Sequence, residues 1–154
     1  MPFGALEEVL HATGDLSGKL VIDCTNAVAK GMSLAMGHTT SAAEKLPGAR
    51  VFKSFNAQGA ENLANPIYDG VRATNFFCGD DADGRRVMKA LVEEVGFDAV
   101  DAGPLKDARL LAPMMLLGGA DGVSGPGTAR REGIYASIEV WSPCDARTGR
   151  GVTT

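Results

Sequence analysis

Four short stretches hold the residues that could do chemistry: Thr25-Asn26, Asn56-Ala57-Gln58-Gly59, Gly79-Asp80-Asp81 and Asp101-Ala102-Gly103-Pro104-Leu105. Small polar side chains and glycines let a ligand come close to backbone N–H and C=O groups. That suits the holding of a cofactor outside the carboxyl ends of strands. Turns and helix caps use the same residue types, so the pattern alone leaves both readings open.

Other chemistries find no footing. Gly14-Asp-Leu-Ser-Gly18-Lys19 is one residue short of a phosphate loop and precedes a strand, whereas such a loop opens a helix. Gly125-Pro126-Gly127 has neither the preceding strand nor the third glycine of a dinucleotide turn. His11 and His38 have no partner at metal-ligand spacing, so no metal site is expected. No Gly-x-Ser-x-Gly elbow supports a hydrolase.

The elements that must position the four stretches can be read from periodicity. Lys19–Cys24, Arg50–Phe55, Ala73–Cys78 and Phe97–Val100 are compact apolar runs of strand length, the kind that is buried on both faces of a sheet. Helices are expected over Pro2–His11, from the capping box at Ser41 to Pro47, over Ala57–Asn65, and after Asp80-Asp81 as far as Gly96. A further helix is expected over Pro104–Leu117, kinked or shortened by Pro113. Strand and helix alternate, which predicts an α/β fold with a doubly wound, mostly parallel, Rossmann-like sheet. Residues 1–117 form that domain. Residues 118–154 read as a Gly- and Arg-rich, weakly ordered tail with one island, Ile134–Trp141, that could pair as a strand.

Composition limits the partners. The net charge of −4 and scattered basic residues argue against a nucleic-acid surface. No apolar run is long enough to span a bilayer, and three cysteines without a C-x-x-C fit a reducing, cytoplasmic setting.

Longer strings then narrow the reading. Pro2-Phe3-Gly4-Ala5, Val21-Ile-Asp-Cys-Thr-Asn26, Thr39-Thr-Ser-Ala-Ala-Glu-Lys45 and Phe55-Asn-Ala-Gln-Gly-Ala-Glu-Asn-Leu-Ala-Asn-Pro66 come in one order. Phe77-Cys-Gly-Asp-Asp81, Gly96-Phe-Asp-Ala-Val-Asp-Ala-Gly-Pro-Leu105 and Ala108-Arg-Leu-Leu follow. Over residues 1–117 the chain resembles the NADPH-dependent reductases of coenzyme F-420, a deazaflavin, and the wider group of NADP oxidoreductases named after them. The resemblance implies an oxidoreductase that moves a hydride between NADP(H) and a deazaflavin or another small-molecule acceptor. It places Pro2, Phe3, Thr25, Asn26, Phe55 and Asn56 near the cofactor, with Asn56 the residue for an amide or ribose contact, unless it caps the next helix. It names no catalytic residue, because hydride transfer needs no dedicated acid or base.

The chain also departs from that family. It lacks the first βαβ unit, whose glycine turn holds the pyrophosphate, so nucleotide affinity is expected to be very weak. Met1 stands where Val usually precedes Pro-Phe, as an internal start would place it. Ala27 replaces a usual Pro, and the sequence changes character after residue 117, as a frameshift would produce. The bared sheet edge predicts poor solubility or a homo-oligomer. Two rivals stand beside the enzyme: a non-catalytic dinucleotide-fold binding or sensor protein, and an inactive fragment. The oxidoreductase reading requires all four strands to present their loops along one rim; antiparallel pairing among them, or loops scattered to opposite ends of the molecule, would overturn it.

Overall fold

The computed structural model describes residues 6–26, 28–29, 33–34, 46–119 and 138–141. The expected helix from Ser41 lies largely outside the described residues. Helix α1 (Leu6–Ala12) leads into strand β1 (Leu20–Asp23). Two short pieces, β2 (Val28–Ala29) and β3 (Ser33–Leu34), pair antiparallel with each other. Strand β4 (Arg50–Ser54), helix α2 (Ala60–Ala64) and a small hairpin, β5 (Ile67–Tyr68) with β6 (Val71–Arg72), follow. Then come β7 (Thr74–Gly79), α3 (Ala82–Val95), β8 (Asp98–Asp101), a single 3₁₀ turn (Leu105–Asp107), α4 (Ala108–Gly119) and β9 (Ile138–Trp141).

The main sheet has the order β8-β7-β4-β1-β9. β1 and β4 are parallel, as are β7 and β8, and each pair is linked by the kind of long connection that parallel strands require. Residues 20, 22, 52 and 77 face one layer, where α3 covers them with Met88 and Val92. Val21 and Val51 face the other, against Leu10 of α1, and Cys78 packs there on Ala108 and Leu111 of α4. Helices therefore cover both faces, the arrangement of a doubly wound α/β fold. This explains why β1 is buried at all four positions rather than alternating.

The strand directions correct one expectation. β7 runs antiparallel to β4, with Phe52 opposite Gly79 and Ser54 opposite Phe77. The four strand ends consequently split between two rims. The ends of β1 and β4 meet the starts of β7 and β8 at the first rim, where Gln58 Nε2 donates to the Thr74 carbonyl at 2.9 Å. Gly79-Asp80-Asp81 and Asp101–Leu105 meet at the second, where Arg50 Nη1 lies 3.1 Å from Asp81 Oδ2. The four stretches therefore do not share the one rim expected of them, and Thr25-Asn26 and Phe55-Asn56 alone share the first. The reversal arises after β4. Instead of a full crossover helix, that connection holds the short α2 and a tight hairpin turned at Asp69-Gly70, both with positive φ.

Helix α3 keeps its expected ends. Asp81 caps it by accepting from Gly84 N at 2.8 Å, and left-handed Gly96 closes it with Phe97 N donating to Val92 O. Helix α4 runs through Pro113 to Gly119 rather than stopping there. Pro113 lies just beyond the first turn, so its missing N–H forfeits a single bond to the Arg109 carbonyl.

The outer edge of β1, expected to be bare, is paired antiparallel by β9, with Leu20 opposite Trp141 and Asp23 opposite Ile138. Deleting residues 120–154 should expose that edge and cause concentration-dependent self-association. Sedimentation velocity checks this; an unchanged single species across a hundredfold concentration range would refute it.

Candidate functional site

At the first rim, β1 and β4 leave the sheet side by side. In-register pairing sets Asp23 beside Lys53, and Lys53 beside Cys78, so the three form a row across β1, β4 and β7. Lys53 Nζ lies 3.3 Å from Asp23 Oδ1, with both side chains buried. The same ammonium donates to the Thr25 carbonyl. Asp23 Oδ1 also accepts from Thr25 N at 2.8 Å and from Thr25 Oγ1 at 2.7 Å. This cluster ties down the first turn after β1. Thr25 is 1% exposed, and its hydroxyl is directed at Asp23 rather than at the rim.

Cys78, at the far end of the row, is a free, fully buried thiol. Burial pushes it from an ordinary value near 9 up to about 12, although the Lys53 ammonium pulls the other way. The folded thiol stays protonated while the unfolded one ionises above pH 9. The sign is therefore a loss of stability as pH rises from 9 towards 12, with none at neutral pH. Peptide-resolved alkylation at pH 8 should leave Cys78 unmodified in the native protein and label it fully in urea. Native labelling at the rate of a free thiol would contradict the buried geometry.

Two asparagines close the rim. Asn26 Nδ2 donates to the Asn56 carbonyl at 2.8 Å, and Asn56 Nδ2 returns a bond to Asn26 Oδ1 at 3.0 Å. The second Nδ2 hydrogen of Asn56 goes to the Leu111 carbonyl of α4 at 2.9 Å. Asn56 thus bridges β1, β4 and α4, whereas α2 begins four residues further on at Ala60, with Leu63 N of its first turn donating to the Gly59 carbonyl. Asn56 Oδ1 is left as the atom that a ligand could use. Phe55 is half-buried at positive φ, with its ring edge-on to Phe97 at 6.3 Å between centroids. Pro2 and Phe3 lie outside the described residues.

Beside Asn56 opens a cleft of about 140 Å³ whose lining includes Gln58, Thr74, Asn75, Leu111 and Met114. No lining residue is charged. Carboxamide, hydroxyl and apolar residues share the lining, which suits an uncharged ring with a hydrogen-bond donor for the Asn56 oxygen and does not suit a phosphate. Ligand pockets usually span roughly 300–1,000 Å³, so this cleft has room for one ring-sized end of a larger molecule. Among the described residues no three potential ligands gather to hold a metal, and no helix is long and apolar enough to cross a membrane.

Sequence reasoning missed Asp23 and Lys53. Their signal was present: opposite charges standing inside two apolar runs that were read as buried on both faces. Gln58 stands in one of the four polar stretches without a role of its own, and Asn75 lies hidden inside the apolar run Ala73–Cys78.

No family model matches the chain. A structure from Arthrobacter sp. FB24, described as a candidate F420-dependent NADP reductase, superposes with a TM-score of 0.66 at 25% identity. The match covers 74% of this chain and 57% of that one. The chain is similar to part of that protein. A hypothetical protein, SMa0349 of Sinorhizobium meliloti, superposes with a TM-score of 0.59 at 30% identity, over 64% of this chain and 51% of that one. Among curated proteins, the rat metalloreductase STEAP3 is 32% identical over 98 residues, 61% of this chain. The chain spans 19% of that relative's length and little more than half of either structure's. The antiparallel β4–β7 step and the split of the strand ends between two rims meet the condition set for overturning the reductase reading, yet the chain superposes on a structure described as a reductase, so that condition was too strict.

Proposed function

We propose that this chain forms part of an NADP(H)-dependent oxidoreductase, with the nicotinamide end of the cofactor resting on the first rim. One observation carries the reading. Asn56 has both amide hydrogens committed to Asn26 and Leu111, which leaves an acceptor oxygen beside an uncharged cleft of single-ring size. A carboxamide N–H is the group that such an acceptor would hold.

When bound, the cofactor supplies the hydride, and the protein supplies position and a dry surrounding. Asn56 would orient the carboxamide. Asn26 would keep Asn56 from rotating, and Leu111 and Met114 would exclude water above the ring. Thr25, fastened to Asp23, would hold the turn that presents Asn26. Pro2 and Phe3 stay cofactor-binding candidates on the family resemblance. The acceptor would be a deazaflavin such as coenzyme F-420, or another small molecule, in a cytoplasmic setting.

The small cleft also favours a second reading, a dinucleotide-fold binding protein without room for an acceptor. Titration with NADPH and NADH, followed by a deazaflavin-reduction assay, separates the readings. Turnover supports the enzyme, and NADPH binding without turnover supports the second reading. No binding at millimolar NADPH refutes both.

A further inference from the structure

We infer that Phe55 is a positioning residue: its left-handed backbone, rather than its ring, places Asn56 over the cleft. This rests on the reading of the cleft given above. Positive φ is uncommon outside glycine, and most of its non-glycine occurrences are Asn and Asp; a bulky aromatic there is an outlier. Phe55 takes φ 56° at the point where β4 leaves the sheet. Such conformations persist only where the surroundings enforce them, and they gather at functional sites.

The surroundings that enforce this one are visible. On one side, the ring packs edge-on against Phe97 and joins the core beneath α3. On the other, the next residue is held by three bonds, two to Asn26 and one to the Leu111 carbonyl. Between these anchors the chain must turn sharply. A residue in extended conformation would carry Asn56 onward along the strand, away from α4. The ring packs against the core, and the lining of the cleft does not include Phe55. The resemblance to known reductases groups Phe55 with the cofactor contacts, whereas the geometry assigns it to the backbone that aims the contact.

Two substitutions pull packing and backbone apart. Phe55→Leu keeps an apolar side chain and bears the same cost of positive φ as Phe, but gives up the edge-on contact with Phe97 that enforces it. Phe55→Asn loses the packing but accepts positive φ readily. Thermal melts should rank the Phe55→Leu variant above Phe55→Asn in stability. The Asn56 side-chain amide resonances should rank them the other way, staying at their native shifts and protected in Phe55→Asn and moving in Phe55→Leu. NADPH affinity should follow the resonances, falling about tenfold in Phe55→Leu and little in Phe55→Asn, since strain of this kind amounts to roughly one such factor or more. Native Asn56 resonances in Phe55→Leu, or affinity that tracks the melting temperature, would overturn the proposal. Wild-type protein that binds no NADPH would overturn the reading of the cleft, while the resonances would still decide the role of Phe55.

Discussion

Replacing Lys53 by Met should cost the fold about 3–5 kcal/mol, the loss typical of breaking a buried ion pair from one side. Lys53 and Asp23 have side-chain exposures of 4% and 0%, so neither charge can turn to solvent when its partner goes. Methionine fills nearly the same volume, which leaves the loss of the ammonium facing the buried Asp23 carboxylate as the main change. The turn after β1 also loses the ammonium that holds the Thr25 carbonyl. Domains of this size are stable by only about 5–15 kcal/mol, so the variant should melt at least about 10 °C lower or fail to fold. Asp23→Asn in the Lys53→Met background should recover most of the loss. The amide oxygen can still accept from Thr25 N and Oγ1, and no charge is left buried. Urea melts of the single and double variants check this. A loss below about 1 kcal/mol for Lys53→Met, or no recovery in the double variant, would show that the pair is not closed as described.

That pair also marks where sequence reasoning stops. The runs Lys19–Cys24 and Arg50–Phe55 announce buried strands through their apolar content, and Asp81 and Gly96 announce the ends of α3 through local hydrogen-bond chemistry. Each of these signals is contained within a few neighbouring residues. The partnership of Asp23 with Lys53 is not, because it depends on the register between two strands. Strand direction is equally silent: an apolar run reads the same whether its neighbour is parallel or antiparallel. The connection from β4 to β7 looked like one crossover helix, since Ala57–Asn65 has helical composition up to Asn65-Pro66. The helix is only Ala60–Ala64, and Ile67–Arg72 is spent on a hairpin. Asp69-Gly70 is a hairpin signal, but two-residue arms give too little alternation to make it stand out. Of the site, Thr25, Asn26, Phe55 and Asn56 do gather at one rim. What each does there depends on contacts between residues as far apart as Asn56 and Leu111.

The second large effect is expected where a standard rule should reverse. Alanine in place of a glycine inside a helix normally stabilises it by about 1 kcal/mol. Gly84 lies in the first turns of α3, yet Gly84→Ala should destabilise. A Cβ there would come within 2.5 Å of Phe52 Cε2 and 2.6 Å of the capping oxygen Asp81 Oδ2. Across the ring, a Cβ on Gly79 would meet Phe52 Cδ1 at 2.3 Å. Phe52 is fully buried and stands directly opposite Gly79 in the sheet, so the ring is clamped between strand and helix and has nowhere to retreat. Overpacking of this kind costs roughly 1–3 kcal/mol and occasionally more, and the worse contact places Gly79→Ala at the upper end. Phe52→Ala alone should cost about 3–5 kcal/mol by opening the cavity that both glycines were shaped around. The decisive comparison is the coupling between these sites. If the ring is the obstacle, Gly84→Ala introduced into Phe52→Leu should lose its penalty and move towards the usual helix-stabilising sign. If the penalty persists there, the clash with the Asp81 cap is the cause, and the clamp on Phe52 is not what keeps position 84 a glycine.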